Sequence, residues 1–141
     1  MKILYTAESH VDGGRDGHAR SSDGRLDVDL SVPESLGGKG GPGTNPEQLF
    51  AAGFGACFLG AVTVAAQRRR VEVPEEMSVD AKVGLGPQPG GAYNVEVELT
   101  VSLPGIDREL AMEIVRAAHE TCPYSNATRG NVDVKLAVAD A

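Results

Sequence analysis

Aromatic side chains are scarce: the 141 residues include no tryptophan, three phenylalanines and three tyrosines, which argues against an aromatic-rich binding surface. Basic residues are also in deficit. Thirteen Lys and Arg against twenty Asp and Glu give a formal net charge of -7, the wrong balance for a protein whose main task is to grip a phosphate backbone, so nucleic acid is not the expected partner. With two cysteines, Cys57 and Cys122, the chain is not a small disulfide framework, and any intramolecular bridge has one possible connectivity. The opening MKILYTAESHVDGG lacks a sustained apolar run and a small-residue cleavage site. A cytoplasmic setting is therefore expected, where thiols are kept reduced and a disulfide is more often catalytic or sensory than structural. There is no phosphate loop, no nucleotide fingerprint, no HExxH segment and no GxSxG elbow.

What is present is the composition of a globular chain, 41% hydrophobic and 23% charged, at a length that fits a single domain spanning residues 1–141. Eighteen glycines and eight prolines punctuate it. Approximate alternation over Ile3–His10 and Leu26–Val32 predicts two half-buried strands around the turn GGRDG at residues 13–17. GGKGGPGTNP at residues 37–46 reads as a loop. A helix starts beyond it, capped by Asn45 with Pro46 at its first position and Gln48 at its third, or in the competing register of Thr44 with Glu47. Leu49–Ala66 is eighteen residues without a formal charge, the lower limit for a membrane span. The run is short, rich in small residues and without a second span, so a buried central helix is preferred, with QRRR at residues 67–70 complementing its C-terminus.

After Pro74, MSVDAKVGL and YNVEVELTVSL alternate on either side of GPQPGG and predict a hairpin. Leu110, Ile114, Val115 and Ala118 fall at helical spacing within an amphipathic helix over Ile106–Glu120. Cys122-Pro123 interrupts that helix, the polar CPYSNATRGN follows, and VDVKLAV at residues 132–138 supplies a last strand. The sum is an α+β layout in which apolar helices cover sheet faces.

Taken by itself, Cys57 in the most apolar helical run reads as an inert core thiol. Two residues change that weighting. An arginine beside a cysteine favours thiolate, and a carboxylate can hold the guanidinium in place, roles open to Arg15 and Glu47; equally, Arg15 is an ordinary turn residue and Glu47 an ordinary helix cap. Ten residues of straight helix would separate Glu47 from Cys57 by about 15 Å. A cluster of all three therefore predicts a break near Gly53–Gly55 that folds the helix back. Cys122, next to proline and polar neighbours, is expected in a loop near the surface. His119 and Cys122, with His10 or His18, form a weaker metal candidate that has no C-x2-C half-site.

Three segments, GGRDGHARSSDGRLDVDLSVP at residues 13–33, TNPEQLFAAGFGACFLGA at 44–61 and AHETCPYSNATRGNVDV at 118–134, resemble the organic hydroperoxide resistance proteins of the osmotically inducible protein (OsmC/Ohr) family. The resemblance covers essentially the whole chain. It implies that Cys57 is a peroxidatic thiol, that Cys122 resolves it, and that Arg15 and Glu47 organise the thiol. It further implies an intertwined homodimer of small antiparallel sheets around central helices, with the site near the subunit interface. The implied activity is reduction of organic or fatty-acid hydroperoxides to alcohols, with no bound metal, haem or flavin, recycled by a dithiol such as dihydrolipoamide on a lipoylated protein. Phe50, Phe54, Phe58 and Leu59 around Cys57 are then candidates for receiving an alkyl tail, against a plain role in core packing. Two alternatives stay open: a peroxidase of the neighbouring osmotically inducible branch, and a non-enzymatic dimer that senses redox state or binds a small molecule.

Overall fold

A computed structural model describes residues 1–140; Ala141, the last residue of the expected domain, lies outside the described residues. The chain divides into two compact units, Met1–Leu49 and a second beginning at Phe50.

The first unit holds a three-stranded antiparallel sheet in the order β1 (Ser9–Asp12), β2 (His18–Ser21) and β3 (Asp27–Asp29). The expected strand over Ile3–His10 is corrected: pairing begins at Ser9, and residues 1–8 carry no strand, because β1 is aligned by its hairpin with β2, a strand the alternation did not reveal. The connection is a tight 3-10 turn, Gly14–Asp16, which needs glycine at both ends. Gly13 is left-handed at φ 65, and a Cβ on Gly17 would stand 1.8 Å from the Asp12 carbonyl oxygen. The glycine-rich loop returns to the sheet, where Ser31 N–H donates to Thr44 O and Thr44 N–H to Asp29 O, both at 2.9 Å.

Helix α1, Pro46–Arg68, starts in the Asn45 register: Gln48 N–H donates to Asn45 Oδ1 at 2.8 Å, with Pro46 at the first helical position. The predicted break near Gly53–Gly55 is absent, and the helix is continuous to Arg68. The glycines serve close packing instead. A Cβ on Gly55 would lie 3.2 Å from Val79 Cγ1, and one on Gly53 would lie 3.3 Å from the Tyr124 hydroxyl. Tertiary contact thus outweighs the cost of about 1 kcal/mol that each glycine carries in a helix.

In the second unit, β4 (Ser78–Pro87) and β5 (Tyr93–Ser102) form the expected hairpin, paired antiparallel from Ser78↔Ser102 to Pro87↔Tyr93. The last strand, β6 (Val134–Val138), adds to β5 in parallel, Val97↔Val134 through Val101↔Val138, so this sheet is mixed where an antiparallel one was expected. Its direction follows from the helical crossover that precedes it, long enough to return the chain to the same end of the sheet. That crossover contains α2 (Arg108–Thr121), capped by Asp107 accepting from Leu110 N–H at 3.2 Å, and a short α3 (Pro123–Thr128) where a polar segment was expected.

One apolar core joins these elements: Phe54, Phe58, Val62 and Ala66 from α1, Val97, Leu99 and Val101 from β5, and Ala111, Ile114, Val115 and Ala118 from α2. Helix α1 is long and apolar enough to cross a membrane by length and composition, but here it carries this core. Among its exposed positions at four-residue spacing, the three successive ones Ala52, Ala56 and Gly60 are small, flanked by Gln48 and Val64.

Candidate active site

Each unit, taken by itself, holds one pair of reactive or charged side chains. In the first, the 3-10 turn presents Arg15 and the second residue of α1 presents Glu47. The contact is bidentate: Arg15 Nη1 donates to Glu47 Oε2 at 2.9 Å and Nη2 to Oε1 at 2.7 Å. The Glu47 hydrogen bond holds the guanidinium above its already high ordinary pKa, and the same bond holds the carboxyl below its own. Glu47 also stands at a helix N-terminus, where negative charge is favoured. The turn and the cap were both readable in the sequence; their meeting follows from the return of the loop at residues 37–44 to the sheet.

In the second unit, Cys57 Sγ lies 3.6 Å from Cys122 Sγ, and neither is bonded to another sulfur. The expected surface position of Cys122 is corrected: Cys122 is fully buried, and Cys57 is the more accessible of the two. Cys122 stands at a corner, ending α2 with its N–H donated to Ala118 O at 2.8 Å and beginning α3 as its N-cap. Cys122-Pro123 interrupts α2 as expected, and Pro123 is then the first residue of α3, where proline fits. Closing the pair to a disulfide requires the sulfurs to approach by about 1.5 Å.

The electrostatics of Cys57 oppose ionisation. Burial pushes its thiol up from the ordinary range, the Tyr124 backbone N–H pulls it down, and the adjacent Cys122 pushes it up again. Without a cation, Cys57 keeps its proton near neutral pH.

Of the four apolar residues considered for an alkyl tail, Phe54 and Phe58 are fully buried in the core, whereas Phe50 and Leu59 keep some surface. Leu59 lines a concavity of about 260 Å³ with Ala52, Gly55 and Ala56 of α1 and Val79 and Ala81 of β4. Tyr124 was missed. Its ring stacks on Phe50 at 6.1 Å and meets Phe54 edge-on at 5.7 Å, while its N–H serves Cys57. The available signal was its place two residues after Cys122. Among the described residues, no group of three or more His, Cys, Asp or Glu is arranged to hold a metal ion. His119 turns to Ser125, with Nδ1 and Oγ 2.9 Å apart.

An α+β chain with a half-buried cysteine against a fully buried one is a distinctive combination, and comparison with known proteins places it. The OsmC-like protein family model matches residues 37–137, a span that holds Glu47, Cys57 and Cys122. The chain belongs to the OsmC-like family, in its organic hydroperoxide resistance branch. It is 53% identical over 138 residues to the organic hydroperoxide resistance protein of Xanthomonas axonopodis pv. citri (strain 306), covering 98% of this chain and 96% of that one. The crystal structure of the organic hydroperoxide resistance protein OsmC from Legionella pneumophila superposes with a TM-score of 0.92 at 45% identity, covering 99% of this chain and 100% of that one. For OhrB of Bacillus subtilis the TM-score is 0.88 at 46% identity, covering 97% and 100%.

Proposed function

We propose that the protein is a cysteine-based peroxidase that reduces organic and fatty-acid hydroperoxides to alcohols. The observation that carries this reading is the 3.6 Å separation of two unbridged cysteines 65 residues apart in sequence, one accessible and one buried. The names of the relatives, organic hydroperoxide resistance proteins, agree with it. Cys57 thiolate attacks the terminal peroxide oxygen, the O–O bond breaks, the departing alkoxide takes a proton and leaves as alcohol, and Cys57 remains as sulfenic acid. The Cys122 thiol then displaces the sulfenic oxygen as water and forms the disulfide. An external dithiol, dihydrolipoamide on a lipoylated protein, reopens it by exchange, and no bound cofactor takes part.

Arg15 is the cation assigned to lower the Cys57 pKa and to stabilise charge as the O–O bond breaks, and Glu47 orients it. The working assembly is a homodimer in which the Arg15–Glu47 pair of one copy serves the cysteine pair of the other. Three features support it: the unbroken α1, the exposed Ile3, Leu4 and Tyr5, and the small exposed positions Ala52, Ala56 and Gly60 on α1. Phe50, Leu59 and Tyr124 are the surfaces assigned to the alkyl tail, with Phe54 and Phe58 backing them. We place this cycle in the cytoplasm, where a reduced dithiol pool restores the enzyme.

One competing reading draws on the same unbridged cysteine pair: a dimer that reports oxidation without turning over. Continuous reduction of cumene hydroperoxide with dihydrolipoamide, paired with hydrogen peroxide and a protein-free control, separates the two. Protein-dependent turnover that is faster with the organic peroxide is expected. A single oxidation without recycling would transfer the assignment to sensing.

A further inference from the structure

The corner at Cys122 has to be held, because the element that directly follows the buried sulfur, α3, is a six-residue helix that is not stable by itself. Three hydrogen bonds do the holding. Thr128 Oγ1 donates to Tyr124 O at 2.8 Å inside α3. Beyond its end, Arg129 Nη2 donates to the His119 carbonyl oxygen at 2.6 Å, taking up an otherwise orphan acceptor in the last turn of α2. Between them, fully buried Ser125 meets His119 Nδ1 at 2.9 Å.

His119 is therefore gripped at its ring by Ser125 within α3 and at its backbone by Arg129 just past it, and its bond to Ser125 spans the Cys122 corner like a chord. We propose that His119 is a positioning residue for the resolving step: through Ser125 its ring fixes α3 so that the Cys122 thiol stays directed at the Cys57 sulfur. Burial and the Arg129 guanidinium both press the imidazole toward its neutral form, which can accept the Ser125 hydroxyl proton at Nδ1. His119 takes no part in the chemistry. Among the described residues its ring hydrogen-bonds to Ser125 and not to a sulfur, and the proton balance of disulfide formation is complete without it, since the Cys122 thiol proton leaves with the sulfenic oxygen as water. A freed α3 would let Cys122 turn away, leaving Cys57 sulfenic acid exposed to further oxidation.

The inference rests on the peroxidase reading, and the experiment keeps the two apart. Reduced wild type, His119→Ala, His119→Asn and Ser125→Ala are each given one equivalent of cumene hydroperoxide. Sulfenic acid is followed by dimedone trapping and disulfide by intact mass. Disulfide formation in His119→Ala and Ser125→Ala is expected to slow about tenfold, with more trapped sulfenic acid and more sulfinic acid at Cys57. His119→Asn keeps a polar atom near the Nδ1 position and is expected to recover most of the rate, which a merely bulk-filling role would not predict. Wild-type disulfide rates in both truncations, or an asparagine variant as slow as alanine, would overturn the proposal. The same four proteins are oxidised with diamide, which takes two hydrogens from the thiol pair and needs no peroxide. A wild type inert to hydroperoxides would end the peroxidase reading, while the diamide ranking would still decide the role of His119.

Discussion

Arg15 and Glu47 lie in a unit whose strands are largely solvated, and they are held to each other by charge and two hydrogen bonds; Cys57 and Cys122 lie in a unit with a continuous apolar core and are held by the helices that carry them. The difference is one of solvation. A guanidinium–carboxylate pair near water forms without a large desolvation cost and keeps its geometry through the bidentate fork. Thiols tolerate burial because they bury as neutral groups. As a result each pair is chemically quiet: the arginine charge is already matched, and the Cys57 thiol is pushed toward its protonated form. Reactivity under the proposed mechanism comes from setting the charged pair against the neutral one.

The largest effect that breaks this comparison is expected at Cys57. Cys57→Ser should lower single-turnover reduction of cumene hydroperoxide by on the order of a thousandfold or more, since an alcohol cannot replace the thiolate. Retained turnover would reject the assignment of the nucleophile. Arg15→Ala should reduce kcat/KM about a hundredfold, the scale of losing one preorganised charge-stabilising donor. Arg15→Lys should recover part of that, because a lysine supplies the charge without the fork that Glu47 orients. An Arg15→Ala variant at wild-type rate would return Arg15 to the role of a turn residue.

Local features of this chain were readable from its sequence, and long-range ones were not. The Asn45-Pro46 start of α1, the turn between β4 and β5, and the span of α2 to within two residues are written in neighbouring residues, so they were anticipated closely, whereas the Asp107 cap was not. The alternation at Ile3–His10 failed because a strand needs a partner, and the partner is fixed by Gly13 and Gly17 in the hairpin that follows. Gly53 and Gly55 were taken for a break because backbone freedom is visible in a sequence and the approach of Val79 and Tyr124 is not. Cys122 looked exposed among polar neighbours for the same reason: Ser125 and Thr128 are buried with their hydroxyls paired inside the structure. The residues of the candidate site were thus legible as types, while the corner that seats Cys122 and the roles of Tyr124, Ser125 and His119 required the fold.

A stability experiment sharpens the contrast further. Ile114, fully buried on α2 within the core of the second unit, should cost about 2–5 kcal/mol when cut to alanine, through lost transfer energy and the cavity left behind. Asn45→Ala removes one cap at the start of α1 and should cost about 1 kcal/mol. Urea unfolding checks both; equal losses would mean that the core of the second unit is less consolidated than its burial implies.

The smallest effect concerns two histidines expected to move in opposite directions. His18 on β2 sits between carboxylates, Nδ1 2.8 Å from Asp29 Oδ1 and Nε2 2.6 Å from Asp27 Oδ1, an arrangement that suits an imidazolium with two donors. The Asp29 hydrogen bond, aided by Asp27, raises its pKa above the ordinary value. A raised folded-state pKa contributes stability below about pH 6.5 that is lost as pH climbs through the folded value. His119 is lowered by burial and then by Arg129, so its contribution has the reverse sign: it is present above about pH 6.5 and lost as pH falls through its folded value. Imidazole proton NMR titration should therefore place His18 above His119. Amide exchange in β2 should quicken on the alkaline side beyond the intrinsic trend, and exchange at the α2–α3 corner on the acid side. Asp29→Asn should bring His18 down and leave His119 where it was. A shared ordinary pKa for both rings would show that the charged unit and the buried one are not as differently solvated as their contacts require.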